Sequence, residues 1–174
     1  DDNDPATTGD SDSTLFMGSL KYKLPDSLGP LGGASLYYAV INGAGADTNE
    51  QDNHYVSLEN LALGIEGLTY KLAIDWTDKD VGADSTIIGH YLSYAINDKV
   101  TLNARIEMGN VNQGTGESLA FGANQNLDGL ESYTIGVDYK LWENVTSRIE
   151  WRVDDADNLT TDQETLGVNI IYSF

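Results

Sequence analysis

The chain has 174 residues, with 28 acidic against 9 basic side chains, a net charge of −19 and no cysteine. That charge repels nucleic acid, and the missing thiols exclude a disulfide framework or a thiolate metal site. The length suffices for one domain with a sizeable core. Yet the hydrophobic residues, 40% of the total, are spread thinly, and no run approaches the roughly eighteen of a transmembrane helix.

Residues 1–13 hold five Asp among Ser, Thr, Gly and Asn, and read as an acidic surface loop or tail. The rest, 14–174, reads as one domain of strands and loops. Residues 14–24 alternate, with Phe16, Gly18, Leu20, Tyr22 and Leu24 against Met17, Ser19, Lys21 and Lys23. A Gly/Pro turn follows over 25–33. Residues 34–42 alternate again, with Leu36, Tyr38 and Val40 opposite Ser35, Tyr37, Ala39 and Ile41. A polar stretch over 43–53 leads to a strand over 54–66 whose phase slips near Glu59 and Asn60, the signature of a bulge.

Glu66-Gly67 reads as a tight turn. Residues 68–77 set Leu68, Tyr70, Leu72, Ile74 and Trp76 against Thr69, Lys71, Ala73 and Asp75. An acidic loop is expected over 78–85, then a strand over 86–96 and a hairpin turn at Asn97-Asp98. Residues 99–108 oppose Val100, Leu102, Ala104, Ile106 and Met108 to Thr101, Asn103, Arg105 and Glu107. After the longest loop, 109–130, come strands over 132–141 and 145–153, an acidic loop over 154–163, and a last strand. In that last strand Leu166, Val168, Ile170, Tyr172 and Phe174 share one face. Period-two alternation throughout predicts about nine strands and no helix of any length.

Alternation alone does not say which face is wet. A soluble sheet packs its apolar face inward, whereas a transmembrane barrel turns it out to lipid and keeps the polar face for the lumen. Three features favour the barrel. Connections alternate between short (25–33, 66–67, 97–98, 142–144) and long, so all long loops fall at one end. The aromatics sit near strand ends: Tyr70, Tyr94, Tyr139, Trp142, Tyr172 and Phe174 toward the short turns, and Trp76, Tyr133 and Trp151 toward the long loops. From Tyr133 to Trp142, at roughly 3.3 Å per residue and a tilt of about 40°, the rise is about 25 Å, the height of a barrel's apolar band. Finally, Lys21, Lys23, Lys71, Arg105, Lys140, Arg148 and Arg152 lie on the polar face, with Asp75, Glu107, Asp138 and Glu150 as acids beside them. The competing reading is a soluble all-β module, with Trp76 and Trp151 as platforms for carbohydrate.

The final segment, Leu166-Gly-Val-Asn-Ile-Ile-Tyr-Ser-Phe174, resembles the C-terminal strand of Gram-negative outer-membrane β-barrels, with its alternating apolar residues and terminal Phe. Residues 92–108 resemble a porin hairpin, and 137–174 resemble the last three strands of a general porin. The resemblance implies an antiparallel up-and-down transmembrane barrel in the bacterial outer membrane. Its long loops would be extracellular and its C-terminus periplasmic, and its role would be passive diffusion with no enzymatic chemistry and no cofactor. It also implies bilayer lipid and lipopolysaccharide as surroundings, insertion machinery reading the last strand, and a homotrimer or a second chain completing the barrel. Bacterial single-chain barrels have even strand numbers. Nine strands therefore suggest the C-terminal part of a larger porin, or an eight-stranded barrel in which 14–24 is not a separate strand.

On the barrel reading the eleven charged residues named above line the pore. The alternative is a non-conducting barrel whose interior these pairs fill. The apolar Leu119-Ala-Phe121 could fold inward within the longest loop. Asp154, Asp155 and Asp157 offer oxygen ligands for Ca²⁺ or Mg²⁺, though without EF-hand spacing. His54 and His90 read as isolated, His90 on the apolar side. No nucleophile–His–carboxylate order or phosphate-cradling Gly motif is present.

Overall fold

The computed structural model describes residues 15–44, 50–79, 82, 84–112, 127–157 and 161–174. Among these, nine strands form one sheet: β1 (Phe16–Lys23), β2 (Ser35–Ala44), β3 (Gln51–Ala62), β4 (Leu68–Lys79), β5 (Asp84–Ala95), β6 (Val100–Asn112), β7 (Leu127–Trp142), β8 (Val145–Asp155) and β9 (Gln163–Tyr172). Each pairs antiparallel with the next, in sequence order. The 14–24 segment is a full strand, pairing Phe16–Lys23 with Asn42–Ser35, so the eight-stranded alternative falls. The acidic tail 1–13 and Leu119-Ala-Phe121 lie outside the described residues.

Two local differences from the sequence expectation have physical causes. The strands run further toward the long-loop end than polarity suggests. Asp78 pairs across to Asp84, Val111 to Leu127 and Glu131 to Asp155, so parts of the stretches expected as loops over 78–85, 109–130 and 154–163 are sheet. Backbone pairing does not need apolar side chains, and polar groups support it here: Asn112 donates to both carboxylate oxygens of Asp84 at 3.1 Å. The 25–33 connection holds a 3-10 stretch, Asp26–Leu31, where no helix was expected. Pro25 and Pro30 favour its tight backbone, and Gly29 turns it at φ 58°.

The slip expected at Glu59-Asn60 is a bulge. Pairing of β3 with β4 shifts between Leu58 and Leu61, and Asn60 holds φ 58°. Asn tolerates this left-handed conformation, whereas a β-branched side chain strains it. Asn60→Val is expected to cost about 1–2 kcal/mol, read as a lowered urea midpoint, while Asn60→Gly leaves the midpoint close to wild type. Equal midpoints for the two variants would remove the bulge as the cause.

The faces settle which side is enclosed. Apolar side chains are on the outside, with Leu166 70% and Ile135 58% exposed, while on the polar face Ser57 is 1% and Ser132 2% exposed. Lys21 on β1 reaches Glu59 on β3 over the intervening β2, a contact that fits the inside of a curve. The sheet is therefore curled with its polar face inward. It is not closed: among the described residues β1 and β9 do not pair with each other, and as the first and ninth strands of an antiparallel meander they run in the same direction.

Candidate functional site

The inner wall is built by alternation. Odd-numbered positions on β1 to β6, as far as the bulge in β3, and even-numbered positions on β7, as far as Lys140, and on β8 point inward, because each antiparallel register keeps side chains of one row on one face. All eleven charged residues expected to line the wall lie on this face. Pairing joins most of them. Lys21 Nζ meets Glu59 Oε2 at 2.8 Å, and Lys71 Nζ lies 3.5 Å from the other oxygen of the same carboxylate. Lys71 is also sandwiched between the rings of Tyr55 and Tyr91, 5.4 and 5.0 Å from their centroids. The Tyr91 hydroxyl donates to Glu107 at 2.8 Å, and Arg105 lies 3.5 Å from Glu107.

Arg105 also donates to Thr134 Oγ1, at 3.0 Å from its terminal nitrogen. Arg148 grips Asp138 with a two-pronged contact, 2.6 Å from Nε and 2.8 Å from the terminal nitrogen. Arg152 holds Asp154 at 2.7 and 2.9 Å. Lys23, Asp75, Lys140 and Glu150 lie on the same face without such a partner among the described residues. These pairs are partly open to solvent, so each contributes only about 0–1 kcal/mol. Their main effect is to fix long side chains along the wall.

Sequence reasoning missed several members of this network. Glu59 was not placed on the wall because the bulge beside it breaks the alternation. Tyr55 and Tyr91 belong here because they stand on the strands either side of Lys71, Tyr91 directly opposite it and Tyr55 opposite Asp75 four residues along, and Tyr37 packs edge-on against Tyr55 at 5.8 Å. A lysine placed one strand away from two inward tyrosines was the available signal. Asp154, expected as a cation ligand, is instead held by Arg152. Asp154 and Asp155 are consecutive in β8 and so point to opposite faces. Among the described residues no group of three or more His, Asp or Glu side chains converges to hold a metal ion.

On the outer face, Tyr94, Tyr139, Trp142, Tyr172 and Phe174 stand exposed toward the short turns, and Tyr172 and Phe174 lie 6.3 Å apart. Trp142 joins this row because the register shifts after Lys140, bringing it opposite Val145. Trp76, Tyr133 and Trp151 lie toward the other end, where the Tyr133 hydroxyl donates to Glu131. Tyr70 differs from its row, since its hydroxyl lies 2.6 Å from His90 Nδ1. His54 likewise meets the Tyr38 hydroxyl at 3.0 Å and stacks on Trp76 at 5.0 Å and 14°. The histidines are thus not isolated. Each is held by a tyrosine on the outer face, His90 on the side expected of it. A polar group set among apolar side chains gains from such a partner.

An antiparallel wall that is apolar outside, charged inside and bordered by aromatic rows defines the class of transmembrane β-barrels. Residues 7–174 match the family described as "Putative beta-barrel porin-2, OmpL-like", and the chain belongs to that family. No curated protein and no solved structure matches the chain. Family membership makes this a porin-type β-barrel protein of the bacterial outer membrane. Among the described residues no helix is long and apolar enough to cross a membrane, and strands do the crossing in this class.

Proposed function

We propose that the chain forms part of the wall of a diffusion channel for ions and small hydrophilic solutes, with the charged inner face as its lumen. The observation that carries this reading is the inversion of the faces: charged and hydroxyl side chains are enclosed, and aliphatic ones are exposed. In this reading the long loops face the cell exterior and Phe174 the periplasm. The outer face meets bilayer lipid and lipopolysaccharide, insertion machinery reads β9, and further strands complete the barrel, as a second chain or within a homotrimer. The test is planar-bilayer recording of detergent-extracted protein, for which stepwise conductance is expected. A preparation that stays in buffer without detergent and gives no steps would falsify the channel.

A second reading is a barrel with no through-path. It is favoured by the run of contacts from Lys21 through Glu59, Lys71, Tyr91, Glu107 and Arg105 to Thr134, which ties β1 to β7 along the inner face. Protein that inserts into bilayers, shown by protection from added protease, yet passes no current supports this reading over the first.

A further inference from the structure

The inner charges are not spread evenly along the axis. Lys21 and Lys23 end β1, Lys71 is the fourth residue of β4, Lys140 lies two before the end of β7, and Arg148 is the fourth residue of β8. All five therefore sit at the short-turn end of the wall. At that level the acids on the inner face are Glu59, shared between Lys21 and Lys71, and, one residue further along its strand, Asp138, taken up by Arg148. Lys23 and Lys140 have no acidic partner among the described residues. Toward the long loops the inner bases are matched or outnumbered by acids. Arg105 and Arg152 each face an acid on the inner face, Glu107 and Asp154, Lys79 also stands on that face, and Asp75 and Glu150 have no ion-pair partner among the described residues.

We infer that the short-turn end of the lumen is a station for small anions, inorganic phosphate or carboxylates, held by Lys23 and Lys140 together with Lys21 and Lys71. This rests on the channel reading and adds the solute class. In a protein of net charge −19, most of the surface repels anions. A belt of uncompensated ammonium groups on an enclosed wall concentrates them, because low-dielectric walls focus the field. Lysine suits the task, since a mobile ammonium donates in several directions without the fixed fork of arginine. The pairing at Arg148 removes that residue from the belt. Lys71, between two tyrosine rings, is held in place but still shares its single carboxylate with Lys21.

The test is the reversal potential across a bilayer in a potassium chloride gradient, with added inorganic phosphate as blocker. In the double variant K23E/K140E the potassium-over-chloride preference is expected to rise by about tenfold, the lower end of what a focused charged cleft does to local ion concentration. K23Q/K140Q is expected to fall between, and phosphate block is expected to weaken in both. Conductance with an unchanged reversal potential and unchanged block overturns the anion station while leaving the channel standing. If the wild type passes no current, calorimetric titration of inorganic phosphate into the protein in micelles decides the matter. Binding lost in K23E/K140E keeps the station without the channel, and binding equal in both, or absent from the wild type, overturns it.

Discussion

Ile149→Arg is expected to lower the stability of the folded protein in lipid by about 2–4 kcal/mol, the cost of a basic side chain near the midplane of a barrel's outer surface. Ile149 is 52% exposed on the outer face, between Val137 on β7 and Val168 on β9. The aromatic rows lie to either side of it along the strands, so an arginine head group there has no short route to water. The control is one residue away. Glu150 points inward, against Gly136, on the polar face where an arginine head group is not set against lipid, and Glu150→Arg is expected to cost much less. The measurement is the urea midpoint for reversible unfolding from lipid vesicles. If Glu150→Arg were damaging and Ile149→Arg harmless, the assignment of inner and outer faces would be reversed.

Gly109→Ala is the second large effect. A Cβ at Gly109 would lie 2.0 Å from the Thr86 carbonyl oxygen and 2.9 Å from Ile87 Cα. Both are backbone atoms of β5, so no side-chain rotation relieves the overlap. Gly109 faces Ile87 on β5 and Leu130 on β7, just before the register of β6 with β7 shifts. The close approach of β5 and β6 at this point depends on a residue without a side chain. Overpacking of this kind costs about 1–3 kcal/mol, and it should also loosen the β5–β6 hydrogen bonds at the long-loop end, seen as faster amide exchange around Thr86. At Gly167 an added Cβ meets nothing closer than the Glu150 carbonyl oxygen at 4.0 Å, so Gly167→Ala serves as the comparison. Indistinguishable midpoints and exchange rates for the two variants would dispose of the close-approach argument.

Much of this wall could be read from the chain. Alternation located all nine strands, because one lipid-side row and one lumen-side row leave period-two polarity whichever face is wet. The phase slip at Glu59-Asn60 marked the bulge, and the terminal Phe174 with its aromatic neighbours pointed to the class. Strand ends were less legible. Asp78, Lys79, Asp84, Asp154 and Asp155 have loop-like composition, yet the ladder passes through them, since main-chain pairing is indifferent to what the outermost side chains carry. The inner network was legible as a set of residues but not as a set of contacts. Glu59 lies beside the bulge, where the phase is undefined, and its two lysines come from strands 38 residues before it and 12 after it in number. The tyrosine–histidine pairs are diagonal neighbours across strands, Tyr38 with His54 and Tyr70 with His90. Such contacts exist only once the register is known.

The shared direction of β1 and β9 limits how the wall can be sealed. Two copies inserted the same way up would meet β9 against β1 at both seams, and both seams would be parallel. Antiparallel seams on both sides would need an odd number of strands beyond the nine of the described residues, giving an even total of ten or more. Such strands, taken together, would traverse the membrane in the sense opposite to this stretch. β1 starts at the long-loop end and β9 finishes at the short-turn end, so the sealing stretch begins beside the short turns and finishes beside the long loops. Sealing of that kind has a checkable polarity: a cross-link from β9 is expected on a strand running against it, whereas one to β1 of another copy would show a parallel seam instead.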